Sequence, residues 1–314
     1  MENFLIVARQ VAVLFVLMGF GSLFRRLKIV SDDGLQSLVN ILIYFITPCL
    51  IVDVFQRPFA PEMLAGLGIG FLVAIGGHVA VIALAALFIR HRDENVRKPL
   101  QLAAVLSNAG FMGIPLEQAI LGDGGVFYGV VYVVTFNLVI WSWGVKVMAR
   151  AGAASESVER RFVRMAVNPG TIGLALGLPL FFFSLRLPSF VATPIHMMSN
   201  INTPLAMIVI GYCLFGAKLG KVTRMGAVYV SAALRRVACP LLMVAALYPF
   251  RGSLDRNLML AMTIAASAPV AAMVSMFATK FERDVDVGVA MVSGTTLLSV
   301  ATMPVVIALA MEIL

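Results

Sequence analysis

Ser107-Asn108-Ala109-Gly110-Phe111-Met112-Gly113-Ile114-Pro115 interrupts an otherwise apolar stretch with polar and helix-breaking residues. Proline has no backbone donor and its ring clashes with the preceding turn, so this run is not a regular helix throughout. A second interruption, Ala265-Ala266-Ser267-Ala268-Pro269-Val270, begins its own serine 160 residues after the first. Inside a bilayer, backbone groups freed by such breaks are tolerated only where protein buries them or a wet cavity receives them. A helix kink explains either break alone. Matching breaks in the two halves of one chain point instead to a transporter's substrate site.

The rest of the chain is written for lipid. Of 314 residues, 61% are hydrophobic and 13% charged, where soluble domains carry about 25% charged residues. Ten apolar stretches read as spans: 4–24, 35–55, 64–89, 98–121, 126–148, 169–187, 200–217, 230–250, 257–279 and 286–311. Each is near the ~20 residues that cross ~30 Å of hydrocarbon. The fold class expected is an all-α membrane protein.

The net charge of +8 follows the topology. Of the 24 Lys and Arg residues, 19 lie in or beside the odd-numbered connections, and only Arg9, Arg57, Arg186, Arg251 and Arg256 lie on the other side. The positive-inside rule therefore places the odd connections in the cytoplasm and both termini outside it. The expected location is a cell membrane, the inner one in a bacterium. The basic charge is a topology signal, and no nucleic-acid partner is expected. Span 1 reads as a retained helix, since Glu2 and Arg9 spoil a cleavable leader and Arg25-Arg26 follow the apolar run.

Little else in the composition offers chemistry. Cys49, Cys213 and Cys239 stand far apart, and His78, His91 and His196 have no metal-ligand spacing. There is no glycine loop with a following lysine to cradle a phosphate. No cofactor or metal is expected, and a membrane-embedded enzyme lacks the catalytic cluster it would need.

Divided five and five, the spans repeat. Thr47-Pro48 with Leu50 in span 2 is echoed by Thr203-Pro204-Leu205 in span 7, Ser107 by Ser267, and Gly129 by Gly288. Five spans per repeat make the second half enter the membrane inverted, a plan shared by many secondary transporters. Residues 1–148 form the first repeat and 169–314 the second. Residues 149–168 are a charged cytoplasmic linker.

Asn108-x-Gly110-Phe111-x-Gly113-Ile114-Pro115, followed by Gly122 and Asn137-Leu138, resembles the auxin efflux carrier family of membrane transport proteins. Leu42-x5-Pro48-x-Leu50 agrees, as do Ser267-x-Pro269, Thr296-Leu297-Leu298-Ser299 and Pro304. The resemblance runs nearly the whole chain. It implies a ten-helix, five-plus-five fold in which spans 1, 2, 6 and 7 form a scaffold. Spans 3–5 and 8–10 would form a moving transport domain, with broken helices 4 and 9 crossing at the substrate. Paired scaffolds in a homodimer are implied too. The family's cargoes are auxin in plants and malonate or malate in bacterial carriers.

Physical chemistry agrees with an anionic cargo. Half-helices starting at mid-membrane aim N–H groups and partial positive charge at the crossing. Spans 4 and 9 carry no cation near either break. The expected substrate-binding residues are Asn108, Gly110, Gly113, Pro115, Ser267 and Pro269. Asn108 and Ser267 supply side-chain hydrogen bonds, although serine often bonds back to its own helix. Glu117, Asn137, Thr47 and Pro48 are expected in supporting or coupling roles. Glu117 is open to two readings, a coupled proton carrier or a carboxylate facing an aqueous vestibule. Asn137 suits an interhelical bond, Asp53 the membrane interface, and His78 a packing or hydrogen-bonding role. Arg235-Arg236 read as snorkelling side chains, with 222–234 partly in the interface.

Secondary transport of a small organic anion, a mono- or dicarboxylate, is the function these features favour. The alternative is a sodium-coupled symporter of the bile-acid type, which calls for a denser polar set at the crossing than Glu117, Gln118 and Ser267.

Overall fold

The computed structural model describes residues 2–150, 169–215, 222 and 225–314. The linker expected at 149–168 thus lies almost wholly outside the described residues. What is described is helical, and its ladder hydrogen bonds satisfy the backbone internally, as lipid demands. Among the described residues seven helices are long and apolar enough to cross a membrane: α1 (Phe4–Arg26 within Glu2–Arg26), α2 (Asp32–Phe55), α3 (Pro61–Phe88), α6 (Asp123–Met148), α8 (Ser189–Leu214), α9 (Gly226–Phe250) and α12 (Val285–Ile313). The protein is a multi-pass membrane protein.

The remaining segments are short. Between α3 and α6 the chain forms α4 (Glu94–Val105), then a π turn at Ala109–Gly113 running into α5 (Ile114–Leu121). Between α9 and α12 it forms α10 (Arg256–Ser267) and α11 (Met273–Lys280). The expected breaks are therefore present, and each is an extended stretch of a few residues. α7 (Pro169–Phe182) ends five residues before the expected limit, where Ser184 takes a left-handed backbone ahead of Pro188.

α8 corrects the expected span 7, beginning at Ser189 rather than residue 200. The helix carries polar residues on both sides of residue 200. Two of them have partners on α2. His196 Nδ1 lies 2.9 Å from Asp53 Oδ2, and Thr47 Oγ1 donates to Asn202 Oδ1 at 3.2 Å. A polar group costs little in a membrane once another helix satisfies it.

π turns recur at Leu42–Ile46, Ala109–Gly113, Ile140–Gly144 and Leu234–Ala238. Three of them stop just before Thr47-Pro48, Ile114-Pro115 and Cys239-Pro240. Proline withholds the donor that the preceding turn needs, and the helix widens there.

Packing sorts the helices into two groups. α1 lies along α8, while α2 packs against α7 and α8. The α1–α8 approach is close: a Cβ on Gly21 would fall 2.0 Å from the Ile208 carbonyl oxygen, and one on Gly211 only 1.8 Å from that of Met18. Small residues let membrane helices touch backbone to backbone. In the second group α6 packs on α3, α5 and α10, and α11 on α12. A buried apolar seam joins the groups, with Val11, Leu14 and Ile46 on one side and Met112, Leu116 and Met303 on the other.

Candidate functional site

The two breaks meet. Asn108 N–H donates to the Pro269 carbonyl at 2.7 Å, and Ala271 N–H to the Leu106 carbonyl at 3.0 Å, pairing Ser107 with Val270 as an antiparallel bridge. Val270 N–H donates sideways to Thr295 Oγ1 at 3.0 Å. Backbone freed by each break is thus satisfied partly by the other break and partly by side chains of neighbouring helices. Four helix ends converge here, two C-terminal (α4 and α10) and two N-terminal (the π turn into α5, and α11).

Helix starts in the protein fall into two kinds, and the starts at the crossing share the lack of a side-chain cap with those of α3, α6 and α9. α2, α4, α10 and α12 begin with a Ser or Asp side chain that accepts a first-turn N–H: Ser31, Asp93, Asp255 and Asp284. The starts at Asn108 and Ala272 have no side-chain cap and no acidic residue in the π turn at 109–113 or the first turn of α11. The Val274 and Ser275 N–H groups already bond to the Ala271 and Ala272 carbonyls, so the donors these starts can offer an anion are the earliest ones.

The expected site residues divide by position. Asn108 is nearly buried, and its amide makes no hydrogen bond among the described residues. A Cβ on Gly110 would meet open space, so the backbone is approachable there. At Gly113 a Cβ would instead make ordinary contacts, 3.5 Å from Ala265 Cα. Pro115 stands in the first turn of α5. Ser267 is buried at the end of α10 and donates to the Ile264 carbonyl at 2.8 Å, a bond back to its own helix. Pro269 contributes its carbonyl to the bridge.

Glu117 is fully buried, which removes the vestibule reading for this conformation. Neither carboxyl oxygen has a hydrogen-bond partner among the described residues. The carboxyl lies over Gly129 of α6, where a Cβ would fall 1.6 Å from Oε2. In the second half Gly288 receives the backbone of Ser275, with a Cβ position 3.0 Å from Ser275 Cα. Gly129 thus makes room for a side chain and Gly288 for a neighbouring backbone.

The supporting residues lie elsewhere. Thr47 bonds to Leu42 and Asn202 at the α2–α8 contact, and Pro48 backs onto Gly173 of α7. Asn137 does not bridge helices as expected. Its amide donates to the Val133 carbonyl of its own helix at 2.9 Å. His78 is buried in α3, its Nδ1 2.7 Å from the Ala74 carbonyl oxygen and its ring 5.0 Å from that of Tyr132.

The expectation for Arg235 and Arg236 fails. They do not snorkel, and the crossing is not free of cations. Both are buried in the π turn of α9, which is itself helical from Gly226. Arg235 donates to the carbonyls of Val105, at 2.9 Å, and Ala266. Arg236 donates to the Ser267 carbonyl and to Thr302 Oγ1. The signal for this was two consecutive arginines in an apolar span just ahead of Cys239-Pro240. Thr295 gave no signal at all.

Two cavities lie away from the crossing. One, of about 520 Å³, is basic and lined by Arg90, Arg92, Arg97 and Lys98. The other, of about 450 Å³, is apolar and lies among Leu67, Phe71, Val131 and Leu174.

The sequence model of a family described as membrane transport protein matches residues 6–307. An uncharacterised transporter of Methanothermobacter thermautotrophicus is 26% identical over 295 residues, covering 92% of this chain and 93% of its own. An uncharacterised transporter of Methanocaldococcus jannaschii is 24% identical over 288 residues, covering 88% and 89%.

Proposed function

The chain belongs to the membrane transport protein family, and on that premise we propose that it is a secondary carrier of a small organic anion. The cargo is a mono- or dicarboxylate, and transport is by alternating access. The observation that carries this reading is the antiparallel pairing of the two breaks through Asn108 and Pro269. Uncapped helix starts beside it offer N–H donors to a carboxylate, with Asn108 adding a side-chain amide and Gly110 leaving room for approach. Pro115, Gly113, Ser267 and Pro269 hold the shape of that site.

In this reading the helical segments form ten spans as two inverted repeats, with both termini outside the cytoplasm. α1, α2, α7 and α8 are the scaffold, and a homodimer pairs two scaffolds. α3–α6 and α9–α12 move across the apolar seam that joins the groups. Glu117 is the proton-coupling group. A full negative charge is costly where no hydrogen bond or cation receives it, so the neutral acid is the form that suits its notch.

The test is a panel of mono- and dicarboxylates in a thermal-shift screen of the purified protein, followed by flux of the best ligand in proteoliposomes. Saturable stabilisation by a carboxylate together with counterflow of that compound is the expected result. Stabilisation only by cations or neutral compounds would overturn the reading.

A further inference from the structure

The buried arginine pair has no acidic partner. Among the described residues no carboxylate approaches Arg235 or Arg236, and the groups around them are backbone carbonyls, Thr302 and Cys239, with Tyr132 and His78 beside Arg235. Those carbonyls are not scattered. Ala104 and Val105 close α4, and Ala266 and Ser267 close α10. They are orphan acceptors of two helix C-termini, each end carrying roughly half a negative charge.

Broken-helix carriers commonly place a sodium ion or proton against such carbonyl ends. Here the chain brings its own cations to that position from a third helix. A guanidinium does not lose its proton at any ordinary pH, so these charges are permanent. The π turn at Leu234–Ala238 contributes directly. Widening the helix reduces the angle between consecutive residues, which lets Arg235 and Arg236 both face the crossing. One reaches the ends of both α4 and α10, and the other reaches α10 and α12.

We propose that Arg235 and Arg236 are resident cations, occupying the carbonyl cage where a mobile monovalent cation would otherwise bind and holding the two helix ends in register. The proposal rests on the carrier reading for its functional meaning. Two full positive charges against roughly one unit of helix-end charge leave the crossing net positive. That surplus favours an anionic cargo and disfavours a co-bound sodium ion.

The experiment reads cation occupancy without any substrate, so its outcome is separable from that of the carrier reading. Purified wild type, Arg236→Ala, Arg235→Ala and Arg236→Lys are melted in choline chloride. Sodium, potassium or millimolar guanidinium is then titrated in at constant ionic strength. Wild type should show no saturable response to sodium or potassium. Each alanine variant should melt several degrees lower and recover part of that loss saturably with guanidinium, while Arg236→Lys keeps most of the wild-type value. Saturable stabilisation of wild type by sodium would overturn the proposal. So would alanine variants that fold but match wild type, or that no cation restores. If neither alanine variant folds, the wild-type titration and Arg236→Lys decide: a lysine variant that melts as low as an unfolding-prone mutant overturns the resident-cation role.

Discussion

The backbone N–H of Asn108 donates to the carbonyl of Pro269 across 161 residues of chain, at 2.7 Å. This bond ties the two breaks together through the Asn108 backbone alone, and among the described residues the side-chain amide makes no hydrogen bond. An amide able to donate, beside helix starts without a side-chain cap, can meet an incoming acceptor.

Replacing Asn108 by Ala keeps the backbone bond and removes the side-chain donor. A hydrogen bond to a charged group contributes ~1.5–3 kcal/mol, so carboxylate affinity should fall roughly 10- to 100-fold. The melting temperature of the ligand-free protein should barely change. Titrating the ligand identified by thermal shift into both proteins measures this directly. Unchanged affinity would make Asn108 structural and move the anion site elsewhere.

Gly129 and Glu117 form a steric pair. Gly129→Ala places a methyl group inside the space of the carboxyl and should destabilise the protein by about 1–3 kcal/mol. Glu117→Ala clears that space. The double variant should therefore be more stable than the sum of the single losses, the signature of coupled contacts. Unfolding measurements on all four proteins test the cycle. Strict additivity would mean that the two side chains do not meet.

Glu117→Gln addresses coupling. The amide mimics the neutral acid in shape, so substrate exchange between the two sides should persist. Net transport should lose its dependence on an imposed pH gradient. Initial rates in proteoliposomes, with pH and potential gradients set independently, separate this from uniport. A uniported anion leaving a negative interior gains ~2.3 kcal/mol per charge per 100 mV whatever stands at residue 117. A mutant with an unaltered pH response removes Glu117 from the mechanism.

The topology is open to labelling. In a background with Cys49, Cys213 and Cys239 replaced by Ser, Arg92→Cys should react with an impermeant thiol reagent only from the cytoplasmic side. Ser253→Cys should react only from the opposite side. Both positions are exposed. Labelling of the two from the same face would break the inverted arrangement.

What the sequence determined by itself are properties carried by a local window. Apolar length marks the seven described helices long enough to cross, because a bilayer has one thickness, though it placed the start of α8 eleven residues late. Proline, glycine and serine within those spans mark the breaks at 107–115 and 265–270, because a missing donor disrupts its own turn wherever it sits. That Gly129 admits the Glu117 carboxyl and Gly288 the Ser275 backbone was not legible from their spacing. Partners were not legible. Arg235 and Arg236 look like interface residues until α9 is set against the ends of α4 and α10, some 130 and 31 residues away. The contacts of Asp53 with His196 and of Thr47 with Asn202 appear only once α2 and α8 are brought together. Glu117 looks as ready for water as for burial until α6 covers it. A charged or polar side chain costs or contributes according to what faces it. In a helical membrane protein that neighbour belongs to another helix, so only the tertiary packing decides the sign.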